Sequence, residues 1–255
     1  MIELGAATEN DMVAAFLRAE INSSRFDEFL TSALARTGFT RQLIDQPNLE
    51  DAAENWARKQ LLDFRGYRNR EALFTGFPHD AVWRRVVLEE KDLQALRYAN
   101  YPTWKELSKS TRLVAIGAQN FRQQPDSPET YHINGIVEAL RNGTRFPELI
   151  AAQDNDGGLI LIEGHSRATA YLMEQFGGDV EVLVAVSPAM RRWAFYSNES
   201  GPPPLPKWPN PCGTAREVGR MTAIAVMMLG AALLRSVVVS GEGKGPEERF
   251  GSGDF

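Results

Sequence analysis

Residues 146–186 read FPELIAAQDNDGGLILIEGHSRATAYLMEQFGGDVEVLVAV, and within this run the grammar of the chain changes three times. PELIAAQ is a short apolar segment of strand type, DNDGG is a hairpin-grade turn, and LILIE is a run apolar enough to be a fully buried strand. SRATAYLMEQF then brings Ala168, Tyr171, Leu172 and Phe176 onto one helical stripe, and VEVLVAVS returns to strand. With INGIVEALRNG upstream as a short helix ending at Gly143, the order is helix, strand, strand, helix, strand. That order signals a small α/β unit.

The junction between the buried strand and its helix is Glu163-Gly164-His165-Ser166-Arg167. A helix that starts just beyond a strand points unpaired N–H groups and the positive end of its dipole past the strand's end, which is a ready anion site. Gly164 admits a left-handed turn or close approach of a ligand. Ser166 can cap the helix or donate to a phosphate oxygen, Arg167 carries a planar fork suited to phosphate or carboxylate, and His165 adds a donor that titrates near neutrality. The plain alternative stays open: Ser166 as a cap and Arg167 paired with a carboxylate such as Glu163. If the guanidinium is a ligand, Arg167→Ala is expected to remove anion binding and leave the fold intact.

Outward from this unit, residues 10 to about 115 show helical spacing and little alternation. Phe26, Phe29, Leu30, Ala33 and Leu34 share one helical face, with Ser24 and Asp27 spaced as a capping box. A second helix is predicted from Asn48, with Asp51 at the matching position, through Trp56 and Leu61 to a stop near Gly66. Gly76 and Pro78 interrupt the pattern, and AVWRRVVLEEKDLQALRYANYPTWKELSKSTR resumes it, with Trp83 and Trp104 as packing residues. The expected class is α+β: a mainly helical N-terminal half followed by a small mixed α/β core. The expected divisions are 1–125, 126–196 and 197–255.

The third division opens with five prolines within GPPPLPKWP, the composition of a linker or extended arm. Met221–Val239 is an apolar run interrupted mainly by Gly230 and Arg235, close to the roughly 20 residues of a membrane span. A helix docked back on the N-terminal bundle is the favoured reading over a tail anchor or a loose tail. GEGKGPEERFGSGDF has the composition of a disordered terminus.

Composition narrows the function. A chain of 255 residues with net charge −5 lacks the basic face of a general nucleic-acid binder. One cysteine, Cys212, allows no internal disulfide, and no secretory leader is visible, so a cytoplasmic protein is expected. His79, His132 and His165 are dispersed and carry no zinc-ligand spacing, so no protein-held metal is expected. GHSRA lacks the second glycine of a nucleophile elbow, and no Walker-type P-loop occurs.

The stretch 131–188 resembles the core of the ParB/sulfiredoxin-like superfamily, in which a strand ending in an acidic residue leads through a Gly-x-x-Arg loop into a helix. Glu163, Gly164 and Arg167 occupy those positions, and Ala168 and Ala170 match the small residues that follow. Sulfiredoxins place a cysteine in this loop, and this chain has none there; ParB proteins continue into a helix-turn-helix region, and this chain continues into the proline-rich arm. The loop is most similar to that of free serine kinases of this fold.

What the resemblance implies is a nucleotide-handling site in which Gly164, His165, Ser166 and Arg167 hold the phosphates of ATP or ADP with Mg2+. The implied chemistry is phosphotransfer or nucleotide hydrolysis, with Glu163 or Glu20, beside the polar cluster Asn22-Ser23-Ser24-Arg25, as candidate base. A non-catalytic nucleotide- or phospholigand-binding module is the alternative, and a DNA-associated ParB relative is a more distant one.

Overall fold

The computed structural model describes residues 1–197, apart from 24–25, 124–127, 156 and 176–177. Its elements are β1 (Ile2–Ala7), α1 (Glu9–Ile21), α2 (Asp27–Thr37), α3 (Gln42–Asp45), α4 (Ala52–Leu62), β2 (Val82–Leu88), α5 (Glu90–Ala95), α6 (Pro102–Leu107), α7 (Val114–Gln123), α8 (Pro128–Arg141), β3 (Leu149–Gln153), β4 (Leu159–Glu163), α9 (His165–Glu174) and β5 (Val180–Val186). The fold is α+β. Ser24, the proline-rich arm, Cys212 and the apolar run 221–239 lie outside the described residues. No described helix is long and apolar enough to cross a membrane.

The five strands form one mixed sheet in the order β1-β2-β5-β3-β4. β3 runs parallel to β5, and the other pairs are antiparallel. Because side chains alternate across a strand, the central strands face two ways. Ile150, Ala152, Ile160, Ile162, Leu183 and Ala185 pack toward α1–α4, while Leu149, Ala151, Leu159, Leu161, Val182 and Val184 pack toward α7–α9. The centre of the sheet is therefore covered on both faces, which explains why LILI and VLVAV read as unbroken apolar runs.

Local chemistry sets the helix starts. Thr8 accepts from the Asp11 N–H while Asp11 reaches back to the Thr8 N–H, a reciprocal cap on α1. Asp51 accepts from the N–H groups of Ala53 and Glu54, so it is itself the cap of α4, one turn later than the start expected at Asn48.

One expectation is corrected. The segment AVWRRVVLEE, read as helix, contains β2, which pairs with β5 along seven residues and with β1 on its other side. Strands from both sides of position 125 thus share one sheet. Trp83, Val86 and Leu88 are buried, but the adjacent arginines Arg84 and Arg85 break the alternation, and apolar residues at 83, 86 and 87 also fit a helical period. β1 gave no pattern because Ile2 and Leu4 on this edge strand are exposed. Burial between two strands overrides local periodicity here.

Candidate functional site

The turn after β4 follows from three residues. Gly164 takes φ 94° and ψ 21°, a left-handed conformation. A Cβ there would clash with Leu149 Cδ2 and lie 3.2 Å from Arg167 Nη2, so the position has no room for a side chain. α9 begins at once with His165, and no side chain caps it. Ser166 is half-buried in the first turn and does not serve as the cap.

Arg167 points inward. It is buried, with its guanidinium donating to the Glu163 carboxylate and to the carbonyl oxygens of Pro147 and Glu148, the last at 3.3 Å. A planar fork can satisfy several acceptors at once, and here it fastens the first turn of α9 to the start of β3. The arginine is a positioning residue in this arrangement, and the expectation that its removal would leave the fold intact gives way to the opposite one. The Glu163 carboxylate is held by the same contact.

His165 is fixed by aromatic rings. Its ring lies nearly parallel to Tyr98 (6.0 Å, 10°) and Trp104 (5.4 Å, 18°), and edge-on to Tyr101 at 6.0 Å. Tyr98 and Trp104 stack at 4.6 Å. The Ala99 N–H donates to His165 Nε2 at 3.3 Å, so in the neutral ring the proton sits on Nδ1.

These rings come from RYANYPTW, residues 97–104, whose aromatic density was the available signal. The segment reaches the turn because Arg97 adds to the outer edge of β4: its N–H donates to Leu159 O at 3.0 Å and its carbonyl accepts from Leu161 N at 2.8 Å.

Two buried contacts hold that segment in place. Tyr98 Oη and Thr169 Oγ1 are hydrogen-bonded at 2.7 Å, and Thr169 donates to His165 O at 2.8 Å, which leaves Tyr98 as donor to Thr169. Burial raises the Tyr98 phenol above its ordinary value. Arg112 donates to the carbonyls of Tyr98 (2.8 Å), Tyr196 (2.8 Å) and Phe195 (3.2 Å). Burial, with repulsion from Arg97, lowers the Arg112 guanidinium to about 10.

Glu20 is elsewhere. It is buried in the last turn of α1 and pairs with Arg65 at 3.3 Å, and that guanidinium lies over the rings of Phe26 and Phe16. α1 covers one face of the sheet and α9 the other. The structure thus brings Glu163, Gly164, His165, Ser166 and Arg167 together and leaves Glu20 across the sheet. Among the described residues no group of three or more His, Cys, Asp or Glu side chains forms a metal centre. Compared with models of protein families, with curated proteins and with solved structures, the chain matches none.

Proposed function

We propose that the protein binds a nucleotide or another phosphorylated ligand, with the phosphate at the start of α9, and that it belongs with ParB/sulfiredoxin-like binding modules. The observation that carries this reading is the uncapped first turn of α9, entered through Gly164 and bearing Ser166 and His165, the histidine set among the rings of Tyr98, Tyr101 and Trp104. N–H groups at such a turn favour phosphate oxygens, and the half-buried rings of Tyr101 and Trp104 suit a planar base. The succession α8, β3, β4, α9, β5, with β3 parallel to β5, supports it further.

The donor set fits phosphate better than it fits a metal held by the protein. Glu163, the carboxylate at the turn, is held by Arg167, so an accompanying Mg2+ would keep phosphate oxygens and water as its ligands. A base must sit within about 3 Å of the proton it takes, or act through one water. Glu163 is engaged and Glu20 lies on the opposite face with Arg65, so binding takes precedence over phosphotransfer.

The test is a thermal-shift series with ATP, ADP, CTP, GTP and inorganic phosphate, with and without magnesium, on the native chain and on Ser166→Ala and His165→Gln. A ligand that binds only the native state raises the midpoint. A rise selective for one nucleotide and diminished in both variants is expected. No rise with any of them, or one unchanged in both variants, refutes the reading.

A further inference from the structure

The last described residues are fastened to the segment that carries the aromatic rings of the α9 turn. Asn100, which is fully buried, donates its N–H to Phe195 O at 3.0 Å and its Nδ2 to Ser197 O at 2.7 Å. The buried Arg112 adds its bonds to the Tyr196 and Phe195 carbonyls. The proline-rich arm therefore leaves the fold at Ser197, beside residues 97–104.

A row of rings runs from that exit to the start of α9. Phe195 and Tyr101 lie 4.6 Å apart, Tyr101 and His165 6.0 Å, and His165 and Trp104 5.4 Å. Phe195 is buried, whereas Tyr101 and Trp104 are only half-buried and keep apolar surface outside the core.

The arm's own sequence is matched to such a surface. Asn198-Glu199-Ser200-Gly201 leads from Ser197 into Pro202-Pro203-Pro204-Leu205-Pro206-Lys207-Trp208-Pro209. The step from Ser197 to Pro202 reaches at most about 18 Å, so the prolines come within range of each ring in the row. This composition favours polyproline II, in which about three residues make a turn. Pro202, Leu205 and Trp208 then share one edge, Pro203, Pro206 and Pro209 share the next, and Lys207 falls with Pro204 on the third. Two adjacent apolar edges form a face, and the lysine stays in water.

We infer that the surface formed by Tyr101 and Trp104 is the docking site of the chain's own arm, with residues 202–209 lying along it as a polyproline II segment. Proline-rich segments dock on aromatic surfaces because their extended backbone loses little entropy on binding and proline has no N–H to leave unpaired. The short tether at Ser197 favours this arm over that of a second copy, since it holds the prolines at high local concentration. The contact belongs to the free chain and stands whether or not a phosphorylated ligand binds at α9. If one does, its base and the arm compete for the same rings.

The experiment is nuclear Overhauser spectroscopy on the full-length, doubly labelled chain without added ligand, repeated on a sample mixed with unlabelled chain to separate contacts within one copy from contacts between copies. Cross-peaks within one copy are expected from proline ring protons of residues 202–209 to the Tyr101 and Trp104 rings. Combined Pro203→Ser, Leu205→Ser and Pro206→Ser should abolish them and shift the Trp104 indole proton while the amide shifts of β1 and β2 stay in place. Lys207→Ser, on the third edge, should keep them. The native chain decides the contact by itself, so a variant that failed to fold would not obscure it. Absence of these cross-peaks in the native chain, their appearance only between copies, or their loss in Lys207→Ser would overturn the inference.

Discussion

The Arg167 guanidinium donates to the carboxylate of Glu163, four residues earlier, across the left-handed turn at Gly164. The same guanidinium holds the Pro147 and Glu148 carbonyls, so one side chain joins the end of β4, the start of α9 and the entry to β3. Removing it leaves a largely buried carboxylate and two carbonyls without their donor. Arg167→Ala is therefore expected to lower stability by about 2–4 kcal/mol, read as a reduced urea midpoint at pH 7. Glu163→Gln combined with Arg167→Met should recover part of the loss, because neither charge then remains to be buried. A midpoint in Arg167→Ala equal to that of the native chain would return the arginine to the role of an exposed ligand.

Gly164→Ala meets two penalties together, a φ of 94° and a methyl group driven into the buried Leu149 side chain. The expected cost is at least about 2 kcal/mol, seen as a melting point several degrees lower. Leu149→Ala in the same chain removes the clash but not the backbone strain, so the two costs should combine less than additively in a double-mutant cycle. Simple additivity would mean that the two residues do not press on one another.

Gly117 of α7 lies against the Tyr98 ring, and a Cβ at that position would come within 2.8 Å of Tyr98 Cε2. Gly117→Ala should displace the ring, and with it the stack that orients His165. The expected signature is a change in the His165 imidazole proton shifts together with a loss of about 1–3 kcal/mol. Tyr98→Phe, which keeps the ring and loses the bond to Thr169, should cost only about 1 kcal/mol and leave those shifts nearly unmoved. If Gly117→Ala left the histidine resonances in place, the stack would not be what positions the ring.

Acid should destabilise the protein through Glu148. Burial by itself would raise this carboxyl, but a backbone N–H, Arg85 and Arg18 outweigh burial and hold it below its ordinary value of 4.5. A folded-state value below the unfolded one contributes stability that is complete above about pH 4.5 and is lost as pH falls through the lowered value. Glu9, kept low by Tyr67, Lys59 and Arg70 against its own burial, acts in the same direction. Urea midpoints for Glu148→Gln should fall less between pH 6 and pH 3 than those of the native chain. Equal falls would remove Glu148 from the acid transition.

Much of residues 131–187 was legible because each element there carries a complete local signal. LILI and VLVAV are apolar along their length, DNDGG supplies the turn, and Gly164 marks the junction where a Cβ has no room. β1 and β2 were not legible, since an exposed edge strand has no apolar face to advertise, and paired arginines in β2 hide a period of two. At the turn the polar residues were readable, but the direction of Arg167 was not. Local spacing allowed it to face outward to an anion or inward to Glu163, and the carbonyls that decide between them lie some 20 residues earlier.

The sequence by itself determined the α+β class, the strand-to-helix junction at Gly164 and the polar residues gathered there, because those depend on neighbours within a few positions. Only the tertiary structure decided that Arg167 is a clamp, that Tyr98, Tyr101 and Trp104 surround His165, and that Glu20 stands across the sheet with Arg65. Those relations depend on strand order and on which face of the sheet each helix covers, and both are set by the burial of apolar surface from distant segments.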